Sequence, residues 1–191
     1  MTRLSYAGAA LAVALTTFTG TPARLQAQGG ETFTATATVK TAAGAAASAP
    51  VTIVIDRKMP ESEVATLVSA FAKGGAAALR KALVGVPPTG SIRIGKGEAT
   101  PARVTLERTT DKGRLLTIVT DRPILHLGAG LPGAKPREGY DFAVADLEIP
   151  ASGQGTGTLS PAAKLRHANG ALVVEDYGAE SMTLSGVKKA R

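Results

Sequence analysis

The sequence predicts a mainly β (α+β) protein of one domain: an antiparallel barrel or sandwich of roughly nine strands, with a short two-part helical insertion packed on it. Two observations indicate this class. Apolar and polar residues alternate with a period of two through most of the chain, as in strands that bury one face. Between Pro60 and Gly85 the period changes to that of an amphipathic helix.

The first 27 residues have the pattern of a secretory signal peptide. A basic residue precedes an uncharged apolar run from Ala7 to Phe18, which is shorter than the ~20 residues of a membrane-spanning helix. We expect cleavage after Ala27 or after Ala23 and a periplasmic or extracellular domain of residues 28–191. A retained N-terminal anchor is the alternative.

Composition narrows the classes of partner. The chain has no Cys, so it forms neither disulfides nor a thiolate metal site. Without the first 27 residues it keeps 20 basic and 15 acidic residues, a net charge of +5. The cations are scattered apart from residues 188–191, and the chain has no Trp, so we expect no nucleic-acid partner. No motif indicates a metal or a cofactor.

The first two strands form a predicted hairpin. In residues 32–40, Phe33 and Val39 share one face with two Ala, and four Thr share the other. An Ala/Gly/Ser-rich turn separates this strand from residues 50–56, an apolar run typical of a more deeply buried strand.

The helical insertion covers residues 60–84. Val64, Leu67, Val68 and Phe71 follow the spacing of one helix face. Two adjacent glycines, 74 and 75, predict an end or a kink, after which the helix resumes.

Alternation resumes after the helix, and we predict seven more strands at residues 91–95, 102–109, 114–121, 140–149, 157–167, 171–177 and 180–187. Asp111-Lys112 suits a short hairpin loop, and Asn169-Gly170 suits a type I′ turn. The second turn aligns His167 with Leu172 and Lys164 with Glu175, and it predicts a partly buried structural His167.

One strand carries an inconsistency in its pattern. Phe142 and Val144 lie on one face and Leu147 and Ile149 on the other, so a strand with one core face requires a bulge near residues 145–146. Asp146 and Glu148 form a pair of carboxylates beside that point, which solvent exposure explains equally well.

Three short motifs match known sites but occur in the wrong context. Residues 128–133 fit G-x-G-x-x-G, yet Pro132 and Pro136 oppose the helix that a dinucleotide site needs. Residues 90–97 resemble a P-loop but lack its Ser/Thr. Residues 185–188 fit S-x-x-K, but they lie on a predicted strand, where residues three apart face opposite sides, whereas the motif needs both on one helix turn. We assign none of them a function.

The candidate binding residues surround the longest irregular stretch, Leu127 to Gly139. This Gly/Pro loop follows a histidine, contains two cations and leads into a Tyr-Asp pair. A ligand site at the end of a barrel or sandwich would use these groups, although a connecting loop of structural purpose is the alternative. The candidates are His126, Lys135, Arg137, Tyr140 and Asp141.

The sequence therefore favours a non-enzymatic exported domain that binds a small molecule or an envelope protein through residues 127–141. The alternative is a small hydrolase or isomerase in which His126 works with Asp121 or Asp141 as acid/base partner.

Overall fold

The computed structural model describes residues 30–40, 46–124, 138–168, 171–177 and 181–190. The described residues contain strands β1 (Glu31–Lys40), β2 (Ala46–Ile55), β3 (Gly90–Ile94), β4 (Thr100–Thr110), β5 (Gly113–Thr120), β6 (Phe142–Pro150), β7 (Gln154–Ala168), β8 (Ala171–Tyr177) and β9 (Met182–Lys189), with helix α1 (Glu61–Gly85) between β2 and β3. The predicted number of strands is confirmed for this part of the chain.

The sheet closes into a barrel. Its strands follow the order β6-β5-β4-β3-β2-β1-β9-β7-β8, all neighbours are antiparallel, and β6 also pairs with β7. Eight strands therefore form the barrel, and β8 is an additional strand on β7. The long strand β7 pairs with β9 and β6 through its first part, and with β8 through Ala163 to Ala168. Of the two architectures that the sequence left open, the barrel is correct.

The three predicted hairpins have the expected partners, and Thr110 pairs with Gly113 across the Asp111-Lys112 loop. β1 and β2 pair without interruption from Glu31 opposite Ile55 to Lys40 opposite Ala46. In the β7–β8 hairpin, whose turn residues lie outside the described ones, His167 faces Leu172 as predicted. A bulge on β8 then places Lys164 opposite Asp176, although its Nζ remains 3.3 Å from the Glu175 carboxylate.

The expected burial of His167 is wrong. Its side chain is exposed, because β7 extends here beyond the barrel and pairs with β8.

Apolar side chains fill the barrel interior. Phe33 and Ala37 point inward from β1, Ile53 from β2 and Leu116 from β5, and each is nearly inaccessible to solvent. The threonines of β1 occupy its other face. This interior is a packed core and not a ligand-sized lumen, because small and large side chains from all eight barrel strands meet there.

Helix α1 forms a second apolar cluster on the outside of the barrel. Leu67, Leu79 and Leu83 are buried against outward-facing residues of β4, β6 and β7. Gly74 and Gly75 have non-helical backbone angles and kink the helix, as the sequence predicts. The helix begins at Glu61, with Pro60 as its N-cap residue.

The expected bulge near Ala145 and Asp146 is wrong. β6 pairs with β5 in unbroken register from Val144 to Pro150. The apparent change of face arises because β6 is buried on both sides: Leu147 and its neighbours of the same parity point into the barrel, while Phe142 and Val144 point outward into the cluster beneath the helix. The irregularity in this region lies on β7, which has an extra residue between Ser160 and Ala163.

Candidate functional site

Two of the five sequence-predicted site residues lie in the described chain, and both hold the fold together. The Tyr140 hydroxyl is buried and donates to the Asp176 carboxylate of β8 at 2.5 Å. The Asp141 carboxylate accepts from Arg80 of the helix at 3.0 Å. These contacts fasten the segment before β6 to β8 and α1. His126, Lys135 and Arg137 lie outside the described residues, so their part in binding stays a prediction.

Asp121, a proposed acid/base partner, is buried at the end of β5. Its Oδ2 accepts from the Nε of Arg103 at 2.7 Å, and Arg103 also donates to the backbone oxygen of Val86. Among the buried side-chain polar atoms of the described residues, Asp121 Oδ1 is the one without a hydrogen-bond partner. Such an oxygen is costly to bury and remains able to accept a hydrogen bond.

Charged side chains close one end of the barrel. Glu31, Arg114 and Lys189 have the parity of the inward-facing residues of β1, β5 and β9. Arg114 donates through two nitrogens to the Glu31 carboxylate, at 2.8 and 2.9 Å, and its guanidinium lies 5.6 Å from the centre of the Phe33 ring. Lys189 reaches the same carboxylate at 3.0 Å. Glu31, Arg114 and Lys189 together therefore cover the apolar core with a polar layer.

This network extends to β4. Arg114 also contacts Glu107, which pairs with Lys58. The guanidinium of Arg114 lowers the pKa of the Glu31 carboxyl from 4.5 to about 2, with Lys189 contributing in the same direction against the effect of burial. Hydrogen bonding to Glu31 raises the pKa of Arg114. A cleft of about 200 Å³ borders these residues. Because its central charges are paired within the protein, we interpret the network as the closure of the barrel end.

A larger groove of about 470 Å³ lies on the outer surface at the same end of the barrel. Its floor is one cross-strand row, in which Arg108 of β4 faces Leu115 of β5, Leu115 faces Glu148 of β6, and Glu148 faces Thr156 of β7. The β4–β5 turn with Lys112 forms one wall. The volume lies within the range of small-molecule sites, and the lining combines apolar and polar groups as such sites do.

Arg114 also lines the groove and is paired with Glu31, but the other charged side chains of the lining are not paired within the described chain. Arg108, Lys112 and Glu148 form no ion pair with any described residue, including one another, whereas most cations at the barrel end do. Two positions from Glu148 on the same face, Asp146 accepts a hydrogen bond from the Thr117 hydroxyl at 2.6 Å. Burial raises the pKa of Asp146, and the charge of Glu148 adds to that increase. The β6 side of the groove is therefore electronegative, whereas on the β4 side the cations Arg108 and Lys112 outnumber the acidic Asp111.

Sequence reasoning did not single out this groove. The turn at Asp111-Lys112 was a usable signal, because it aligns Arg108 with Leu115. The sequence shows Glu148 two residues from Asp146, but no local pattern gives the register between β5 and β6, which are separated by more than twenty residues. The row of Arg108, Leu115 and Glu148 can be recognised only when that register is known.

The described residues offer no group of three His, Asp or Glu side chains placed to hold a metal ion. Nor does the described chain contain a helix with the length and apolarity that a membrane crossing needs.

Comparison with known proteins adds no relative: no family model, curated protein or solved structure matches this chain.

Proposed function

We propose that this chain is an exported binding domain that takes a small molecule in the groove formed by β4, β5, β6 and β7. The observation that carries the proposal is the row Arg108–Leu115–Glu148, where opposite charges flank an apolar side chain and neither charge is paired in the described chain. Surface charges that a fold leaves unpaired beside a cavity are available to a ligand. The barrel interior is packed, and the charges at its closed end are paired, so the groove is the better candidate.

A fragment screen followed by amide chemical shifts tests this function. We expect ligands to shift the amide signals of Leu115 and Thr156, and we expect Arg108→Gln and Glu148→Gln to weaken binding while the melting temperature stays nearly constant. Exposed charges contribute under ~1 kcal/mol to stability, so these variants remain folded. Arg93→Gln, at an exposed arginine of β3 on another part of the barrel, is the matched control. Ligands that shift only signals elsewhere, or a complete absence of binders, would refute the groove as a site.

Export is part of the same proposal and rests on residues 1–27. Mass spectrometry of protein recovered from the native host should give a chain that begins near Gln28. Recovery of a chain that retains Leu4 to Leu15 would contradict it.

An envelope protein docking on residues 127–141 stays a second binding prediction. Replacing Lys135 and Arg137 together by Gln should abolish capture of such a partner without lowering the melting temperature. Capture that survives both changes would remove the loop from consideration.

The hydrolase or isomerase alternative is favoured by one observation, the unpartnered Oδ1 of buried Asp121. A general acid/base pair needs a carboxylate able to accept from an imidazole. On a panel of chromogenic esters and phosphoesters, His126→Ala and Asp121→Asn should both remove activity, whereas His167→Ala, at an exposed histidine, should not. Turnover that is unaffected by His126→Ala, or absent from the native protein, would end this alternative.

A further inference from the structure

The spacing of charge across the groove indicates what kind of molecule fits it. Arg108 and Glu148 lie in the same cross-strand row, each next to Leu115. Neighbouring strands are about 4.8 Å apart, so the two backbone positions are separated by about 10 Å. Both side chains face outward and are exposed, yet they do not pair with each other. The gap between their charges therefore lies above an apolar side chain.

The two sides of this gap keep opposite potentials. On one side Lys112 in the β4–β5 turn adds a second cation to Arg108, and these two cations outnumber the one acidic residue there, Asp111. On the other side Asp146 lies two residues before Glu148 on the same face of β6, and Thr156 of β7 is the residue opposite Glu148. The charge of Glu148 adds to the effect of burial in raising the pKa of Asp146. An uncharged ligand would leave both potentials uncompensated, and a ligand of one sign would compensate only one of them.

We propose that the groove binds a small zwitterion of the size of a dipeptide, with its carboxylate at Arg108 and Lys112, its ammonium at Glu148, and its apolar part on Leu115. This inference rests on the proposed function and adds the class of ligand. An arginine fork and a carboxylate are the side chains best suited to recognise a carboxylate and an ammonium. No bond is made or broken, so the step is binding alone.

The test compares three forms of one dipeptide by titration calorimetry on the purified protein. Alanyl-leucine carries both charges, its N-acetyl form lacks the ammonium, and its C-terminal amide lacks the carboxylate. We expect each blocked form to bind about tenfold or more weakly than the free dipeptide, which corresponds to about 1.4 kcal/mol. Amide shifts of Leu115 and Thr156 would place the ligand in the groove.

Variants assign each charge to its wall. Glu148→Gln should lower the affinity for alanyl-leucine but should not lower the affinity for the N-acetyl form any further. Arg108→Gln should likewise lower the affinity for alanyl-leucine but not the affinity for the C-terminal amide. Arg93→Gln and Glu98→Gln, both at exposed positions away from the groove, should change none of the three affinities.

The outcomes separate this inference from the function on which it rests. The zwitterion proposal is overturned if the three dipeptide forms bind with equal affinity. It is also overturned if none of them binds while fragments still shift the amide signals of the groove. In both cases the groove remains a small-molecule site. If neither dipeptides nor fragments shift any groove signal, both proposals fail.

Discussion

Arg114 and Glu31, which are 83 residues apart in the chain, form a two-pronged ion pair in which Nη1 and Nη2 donate to separate carboxylate oxygens at 2.8 and 2.9 Å. The Glu31 side chain is only 14% exposed. This pair joins β1 to β5 across the end of the barrel, and it makes the stability of the protein depend on pH in a definite direction.

We expect Glu31→Gln to lower the free energy of unfolding by about 1–3 kcal/mol at pH 7, a range that allows for solvent screening of a pair at the protein surface. The folded-state pKa of Glu31 is depressed from 4.5 to about 2, so its contribution is present above pH 4.5 and is lost as the pH falls toward 2. Urea unfolding at pH 7 and pH 2.5 measures the difference, which should shrink at the lower pH.

The exposed Glu98 provides the control, because Glu98→Gln should change stability by less than ~0.5 kcal/mol at either pH. A loss from Glu31→Gln that is the same at both pH values would mean that shape, not charge, gives the residue its effect.

The contribution of Asp146 to stability should depend on pH in the direction opposite to that of Glu31. Burial, with the charge of Glu148, raises its folded-state pKa above 3.8, so its stabilising contribution is complete below pH 3.8 and is lost as the pH rises through the raised pKa. Asp146→Asn keeps an acceptor for the Thr117 hydroxyl and removes the buried charge. We therefore expect greater stability than the native protein at pH 7 and no gain at pH 3, as measured by urea unfolding. Asp111→Asn in the exposed turn should show neither effect, and a loss of stability in Asp146→Asn at pH 7 would contradict this account.

The helix should contribute through one face. Leu83 is fully buried in the outer cluster, so Leu83→Ala should cost about 2–5 kcal/mol in chemical denaturation. Ser69 is exposed, and Ser69→Ala should cost well under ~1 kcal/mol. Similar losses from the two substitutions would show that the packing of α1 is wrongly assigned.

Gly155 permits the close approach of β7 to β6. A Cβ atom at this position would overlap the backbone oxygen of Glu148, which cannot move without disturbing the β6–β7 pairing that closes the barrel. We expect Gly155→Ala to cost more than ~2 kcal/mol in thermal or urea unfolding. At Gly85 a Cβ would have nothing within 4 Å, so Gly85→Ala should stay within ~1 kcal/mol of the native protein. An unaffected Gly155→Ala would show that the two strands tolerate a wider separation.

Local patterns were sufficient for the elements of this fold. Alternation in residues 32–40 places Phe33 and Val39 on one face because successive side chains of a strand point to opposite sides. The spacing of Leu67 and Phe71 predicts one helix face because residues four apart lie on the same side of a helix. Gly74-Gly75 predicts the kink because glycine adopts backbone angles that other residues avoid. Each of these properties depends on residues within one or two turns of the chain.

Closure and the candidate groove were decided by the tertiary structure alone. The pairing of β6 with β7 and of β1 with β9 determines whether the sheet is a barrel or a sandwich, and these registers arise from the packing of the whole core. The pattern of β6 predicts a bulge only if the strand has one buried face. In the structure the barrel core buries one face of β6, and the cluster beneath helix α1 buries the opposite face. The position of Arg108 and Glu148 on either side of Leu115 likewise depends on the tertiary structure. Their alignment is a property of three strands together, and no segment of the sequence contains it.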